Sequence, residues 1–236
     1  LSPSILSLFL ASFAPGISWL VYWYFRGQTG PRRLRPVVAF FLSGLLAGPL
    51  ALAFFAFMEL NPFYAGLTTI DEVSEIEKFT YSLFAIGPVE EMAKFLVAWL
   101  TLKALHKEAN PAYAGVVYAA AAALGFATIE NWYYMIEVDE VVWHRAITLP
   151  FNHVLFSSFW GVGLSLYYSR RRGRVFWLSI GLVLSIIYHG LYDYILLSAD
   201  MPAGAVLPLV FALWVWLMVA IPKLRERADT SAEEPT

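Results

Sequence analysis

Cysteine is missing altogether from this 236-residue chain. That removes disulfides, thiolate metal sites and a cysteine nucleophile from consideration. Charge is scarce too: 14% of residues are Asp, Glu, Lys or Arg, and the formal net charge is −2. No long basic run is present, so nothing grips a phosphate backbone and no nucleic-acid partner is expected. The opening Leu1-Ser2-Pro3-Ser4 has no basic stretch ahead of its apolar run, so it reads as the approach to a first span and not as a cleaved signal peptide.

What is abundant is apolar length. The chain is 59% hydrophobic with a mean hydropathy of +0.62, whereas soluble domains sit nearer half apolar. Crossing a bilayer takes roughly 20 helical residues, and open strands are not viable in lipid. The expectation is an all-α polytopic bundle, a multi-pass protein of the cell membrane with the lipid bilayer as its solvent. Spans are expected at 4–25, 37–58, 79–102, 112–136, 146–169, 175–198 and 202–221. They form one transmembrane domain over 1–227, followed by an unstructured acidic tail over 228–236. The odd-numbered connections and the tail hold 13 of the 16 Lys and Arg. By the positive-inside rule the N-terminus is outside and the C-terminus cytoplasmic. The connection 59–78 is read either as a linker or, from Ile70, Val73, Ile76 and Glu77, as a surface helix.

An ionisable group deep in a span costs at least a few kcal/mol on insertion scales, so each one asks for a function. The third span holds Gly87-Pro88-Val89-Glu90-Glu91-Met92-Ala93-Lys94. Lys94 is one turn from either carboxylate and can neutralise one of them. The second carboxylate must be protonated, paired with another helix or metal-bound. Pro88 frees a carbonyl one turn earlier and predicts a bend. The fourth span places Glu130-Asn131 beyond a small-residue face, Ala119 to Ala123 and Gly125, that permits close helix contact. The fifth carries Asn152-His153 and the sixth His189-x-x-x-Asp193; there the Asp is placed to orient the imidazole. At about 1.5 Å per residue, Glu90 lies roughly 16 Å below the outer span ends, Glu130 and His153 roughly 9 Å, and His189 roughly 13 Å. Agreement in depth among four helices predicts one shared, outward-facing wet cavity.

Such a cavity suits water activation. A buried carboxylate takes a proton from water, and an oriented imidazole stabilises an oxyanion or protonates a leaving amine. The catalytic set expected is Glu90, Glu91, Glu130, His153 and His189, supported by Lys94, Asn131 and Asp193. Two mechanisms stay open: a glutamate-type mechanism that needs no cofactor, and one divalent metal such as zinc held among the same five residues. The His-Glu-x-x-His motif of zincins is absent.

Glu90-Glu91-x-x-Lys94, Phe126-x-x-x-Glu130-Asn131, His153 and His189-x-x-x-Asp193, in that order on four consecutive spans over 79–197, resemble the PrsW family of intramembrane proteases, kin to the CAAX-prenyl-endopeptidase-like and bacteriocin-processing membrane proteases. The resemblance implies an endopeptidase that cuts a single-pass membrane protein of the anti-sigma-factor kind near the extracytoplasmic face. Glu90, Glu91 and His189 match the positions regarded as essential, and Glu130 and His153 match the remaining motif positions. A proton-coupled transporter and a non-catalytic membrane scaffold are the alternatives. No inverted repeat is visible for the first, and intact acids and imidazoles speak against the second. A retinal protein would need a lysine in the last span, and 202–221 has none.

Overall fold

The computed structural model describes residues 3–26, 34–60, 73–169 and 172–233. Among them there is no strand. Helix α1 spans Ile5–Arg26 and α2 spans Leu34–Glu59; short α3, Glu75–Tyr81, runs through a π turn, Ser82–Ile86, into α4, Gly87–Ala104. Then follow α5 Pro111–Glu137, α6 Trp143–Tyr168, α7 Arg174–Leu197 and α8 Val206–Glu233. The expected span boundaries hold to within about four residues, except that α8 runs past the expected end at 221.

Five helices, α1, α2, α5, α7 and α8, are long and apolar enough to cross a membrane by length and composition. The other two expected spans, α4 and α6, fall short because they carry the polar residues. Glu90, Glu91 and Lys94 of α4, and Asn152, His153, Ser157 and Ser158 of α6, are buried inside the bundle, where neighbouring helices replace lipid. Outward faces remain apolar, as at Leu46, Phe57, Leu207 and Phe211, which matches a lipid surround.

α5 forms the centre. Its Ala119–Ala123 face is fully enclosed, and Gly125 lies directly against the Phe41 carbonyl of α2. Phe40 of α2 stacks on Tyr118 of α5 with centroids 4.4 Å apart. The α6 side of α5 is equally close, since a side chain on Gly161 would meet the Val116 backbone. On the far side of α6, Phe159 stacks on Tyr188 of α7 and Trp216 of α8.

Two polar ties mark the ends of the bundle. Arg35 at the start of α2 pairs with Glu108 after α4 at 2.6 Å. At the opposite end, Glu75 of α3 accepts from Ser198 Oγ at 2.6 Å and from the Ala199 N–H. Ser74 caps α3 in a capping box with Glu77, so a helix does form at the end of the 59–78 connection; Ile70 lies outside the described residues. The bend expected at Pro88 takes the form of the π turn. Pro88 has no N–H to donate, and the Gly87 N–H instead reaches back five residues to the Ser82 carbonyl. α8 continues through Glu233, into the segment 228–236 expected as an unstructured tail. Lys, Arg, Glu and Ala extend an existing helix without a new nucleus. Residues 234–236 lie outside the described residues.

Candidate active site

The site is assembled by one close crossing. A side chain on Gly87 would sit 2.6 Å from the Ile186 carbonyl of α7, and one on Gly190 would sit 2.6 Å from the Ser82 carbonyl. With no side chain at either position, the π turn and α7 touch backbone to backbone. That contact brings Glu90 and Glu91, within one turn of Gly87, against His189 beside Gly190.

Glu91 and Lys94 form the floor, with no exposed side-chain surface and 2.6 Å between them. Glu91 Oε1 takes Lys94 Nζ and lies 3.0 Å from His189 Nδ1. Its Oε2 accepts from Ser157 Oγ and Trp160 Nε1, both at 3.0 Å, and from Ser185 Oγ at 3.2 Å. Ser185 divides its single proton between Glu91 and the Phe156 carbonyl. A carboxylate has about four lone-pair positions, and those of Glu91 are taken. Glu91 therefore ties α4 to α6 and α7 and has nothing left with which to meet a substrate.

Above the floor stand the two imidazoles, with ring centroids 5.0 Å apart and nearly perpendicular. His153 Nδ1 is 2.9 Å from Lys94 Nζ, and its Nε2 is 2.9 Å from Glu130 Oε2. His189 Nε2 is 3.5 Å from Glu90 Oε2 and 3.3 Å from Asp193 Oδ2. Phe156 stacks on His189 at 4.8 Å, and Phe126 lies beneath Lys94 Nζ at 4.5 Å. At the mouth, Arg145 Nη2 donates to Glu130 Oε1 at 2.6 Å, and its guanidinium lies over Tyr134. Exposure rises from nothing at Glu91 to 27% at the Glu130 side chain, so the chamber opens at the end where α5 finishes and α6 begins.

Glu90, His153 and His189 each offer a ligand atom within 4.8 Å of the others, the grouping a metal ion could occupy. Orphaned oxygens bear on the fit. Glu90 Oε2, Glu130 Oε2 and Asp193 Oδ2 are all buried without a directed hydrogen bond among the described residues, although each faces an imidazole Nε2. Buried carboxylate oxygens without donors are costly. Three of them around two imidazoles make a donor set of the right kind for a divalent cation such as zinc.

The structure thus joins Glu90, Glu91, Glu130, His153, His189, Lys94 and Asp193 in one cluster, as their common depth predicts. Asn131 stands apart: its Nδ2 reaches the Ala146 carbonyl at 3.5 Å, tying α5 to α6. Sequence reasoning missed Ser157, Trp160, Ser185 and Arg145. The first three had a signal, since Ser157 and Trp160 lie four and seven residues after His153, and Ser185 lies four before His189, on the same helix faces. Arg145 is close to Glu130 only because α6 returns beside α5.

A family profile described as PrsW family intramembrane metalloprotease matches residues 32–221. The chain is 30% identical over 207 residues to Protease PrsW of Bacillus subtilis (strain 168), covering 86% of this chain and 89% of that one. It is 29% identical to Protease PrsW of Halalkalibacterium halodurans, with 94% and 99% covered. It is 28% identical to Protease PrsW of Geobacillus kaustophilus, with 97% of each covered. No solved structure matches.

Proposed function

The chain belongs to the PrsW family of intramembrane metalloproteases, and from that premise we propose that it cuts a single-pass membrane protein of the anti-sigma-factor kind near the extracytoplasmic face. The chain is a membrane-embedded peptidase, so the transporter and scaffold readings fall away. The observation that carries the proposal is the convergence of Glu90, His153 and His189 from three helices within 4.8 Å, beside the partly exposed Glu130 and Arg145.

In this reading Glu90, His153 and His189 would hold a divalent cation such as zinc, which when bound polarises the scissile carbonyl and acidifies water. Every other task falls to the chain. Glu130, at the mouth with Oε2 facing His153 Nε2 at 2.9 Å, takes the proton from water as it attacks the carbonyl and returns it to the leaving amine. Arg145 holds that carboxylate in place through its hydrogen bond to Oε1. Glu91 and Asp193 fix the His189 ring from its two nitrogens, and Lys94 fixes His153. Glu91, Asp193 and Lys94 are positioning residues; Glu130 is the proton carrier.

The test is cleavage of a co-expressed, tagged single-pass substrate, with metal content measured on the purified chain. Glu90→Gln and His189→Ala are expected to abolish both cleavage and stoichiometric metal while the protein stays folded in the membrane. Glu130→Gln should retain the metal and lower cleavage by about 100-fold or more. Unchanged cleavage in all three variants would end the peptidase site proposed here. Full activity without stoichiometric metal would remove the cation and leave Glu90 as the base.

A further inference from the structure

A concavity lies between α6, α7 and α8. It holds about 380 Å³ and is lined by Phe159 and Gly163 of α6, Trp177 and Gly181 of α7, and Trp216 and Lys223 of α8, among others. Of the described residues lining it, Lys223 alone carries a charge. Trp177 precedes His189 by twelve residues on α7, which at 1.5 Å per residue is about 18 Å. The concavity runs from that end to Leu184 and Phe159, beside the Ser185 and Ser157 that donate to Glu91.

Its shape follows from three contacts. A side chain on Gly181 would meet the Phe159 carbonyl at 2.5 Å, and one on Gly163 would meet Leu178 Cα at 2.9 Å, so α6 and α7 seal the floor. α8 is held to α6 through Trp216, whose indole N–H donates to Ser158 Oγ at 3.2 Å and whose ring stacks on Phe159 at 4.9 Å. Past that tie, toward Lys223, the space between α7 and α8 is left unfilled.

We propose that this groove binds one acyl chain of an anionic membrane phospholipid, with the lipid phosphate held at Lys223. An uncharged interior that ends in a cationic group is complementary to a hydrocarbon chain ending in a phosphate. A single hydrocarbon chain is narrow enough to enter a groove of this volume. The site belongs to the membrane-embedded bundle and does not depend on the catalytic reading.

The experiment uses the full chain in nanodiscs of phosphatidylglycerol or of phosphatidylcholine, extracted gently and weighed by native mass spectrometry. One phosphatidylglycerol is expected to stay bound per chain, preferred over phosphatidylcholine by about fivefold, the worth of one basic residue against an anionic lipid. Lys223→Ala should erase that preference and Lys223→Arg keep it. Val219→Trp, at a half-exposed groove position where folding is not at risk, should remove the bound lipid of either type. A phosphatidylglycerol with a photoreactive acyl chain should label peptides of α6, α7 and α8. Equal retention of the two lipids, indifference to both Lys223→Ala and Val219→Trp, or labelling confined to other helices would each overturn the assignment.

Discussion

Glu91 and Lys94 sit 2.6 Å apart with no exposed side-chain surface, and at this scale the site is a problem of charge compensation. Breaking a buried pair by removing one partner leaves the other uncompensated, at about 3–5 kcal/mol. Lys94→Met is therefore expected to lower stability by about that amount, read as a fall in thermal midpoint in detergent. Glu91→Gln should cost less, because the neutral amide can still accept from Ser157 and Trp160. The double variant should lose less than the two single losses added together, because the groups are coupled; strict additivity would show that the pair is not a unit. Arg145→Gln tests the mouth. Glu130 loses the Nη2 donor at 2.6 Å, and cleavage should fall by about tenfold as a charged hydrogen bond is removed, with metal content unchanged.

Between elements, what matters is the crossing of the π turn with α7. Gly190→Val would place carbon 2.6 Å from the Ser82 carbonyl, a backbone atom that cannot rotate away. The helices must then separate, and Glu90 moves off His189. A misplacement on the scale of an ångström costs about 100-fold in rate. Cleavage and metal content should both fall, while membrane insertion persists. α3 gives a pH dependence outside the spans. The Ser198 hydroxyl and then Lys78 hold the Glu75 carboxyl below its ordinary 4.5, and the Ser74 hydroxyl and backbone N–H do the same for Glu77. Depressed carboxylates add stability that is complete above the unfolded value and is lost as pH falls through the folded one. Amide-exchange protection of α3, corrected for intrinsic rates, should decline below about pH 4.5, and Glu75→Gln should remove part of that decline. A flat profile would show that these contacts do not hold α3.

For the whole molecule the open question is which way the chamber faces, and the chain offers a direct test because it has no cysteine. Single cysteines at Glu140, beside the mouth, and at Arg172, at the opposite end, should react oppositely with a membrane-impermeant maleimide on intact cells: Glu140→Cys labelled, Arg172→Cys protected. The reverse would turn the chamber toward the cytoplasm and displace the proposed cleavage side. The sequence by itself determined that the chain is a bundle of membrane helices, where those helices begin and end, except at the C-terminus of α8, and that Glu90, Glu130, His153 and His189 share a depth. Length, hydropathy and rise per residue are local properties, and each can be read along the chain. Only the tertiary structure decided that Glu91 is saturated by donors while Glu90, Glu130 and Asp193 keep free oxygens, that Arg145 closes on Glu130, and that a glycine crossing sets the site. Rotation of each helix about its axis and the partners across an interface depend on packing between segments far apart in sequence, which no one-dimensional period records.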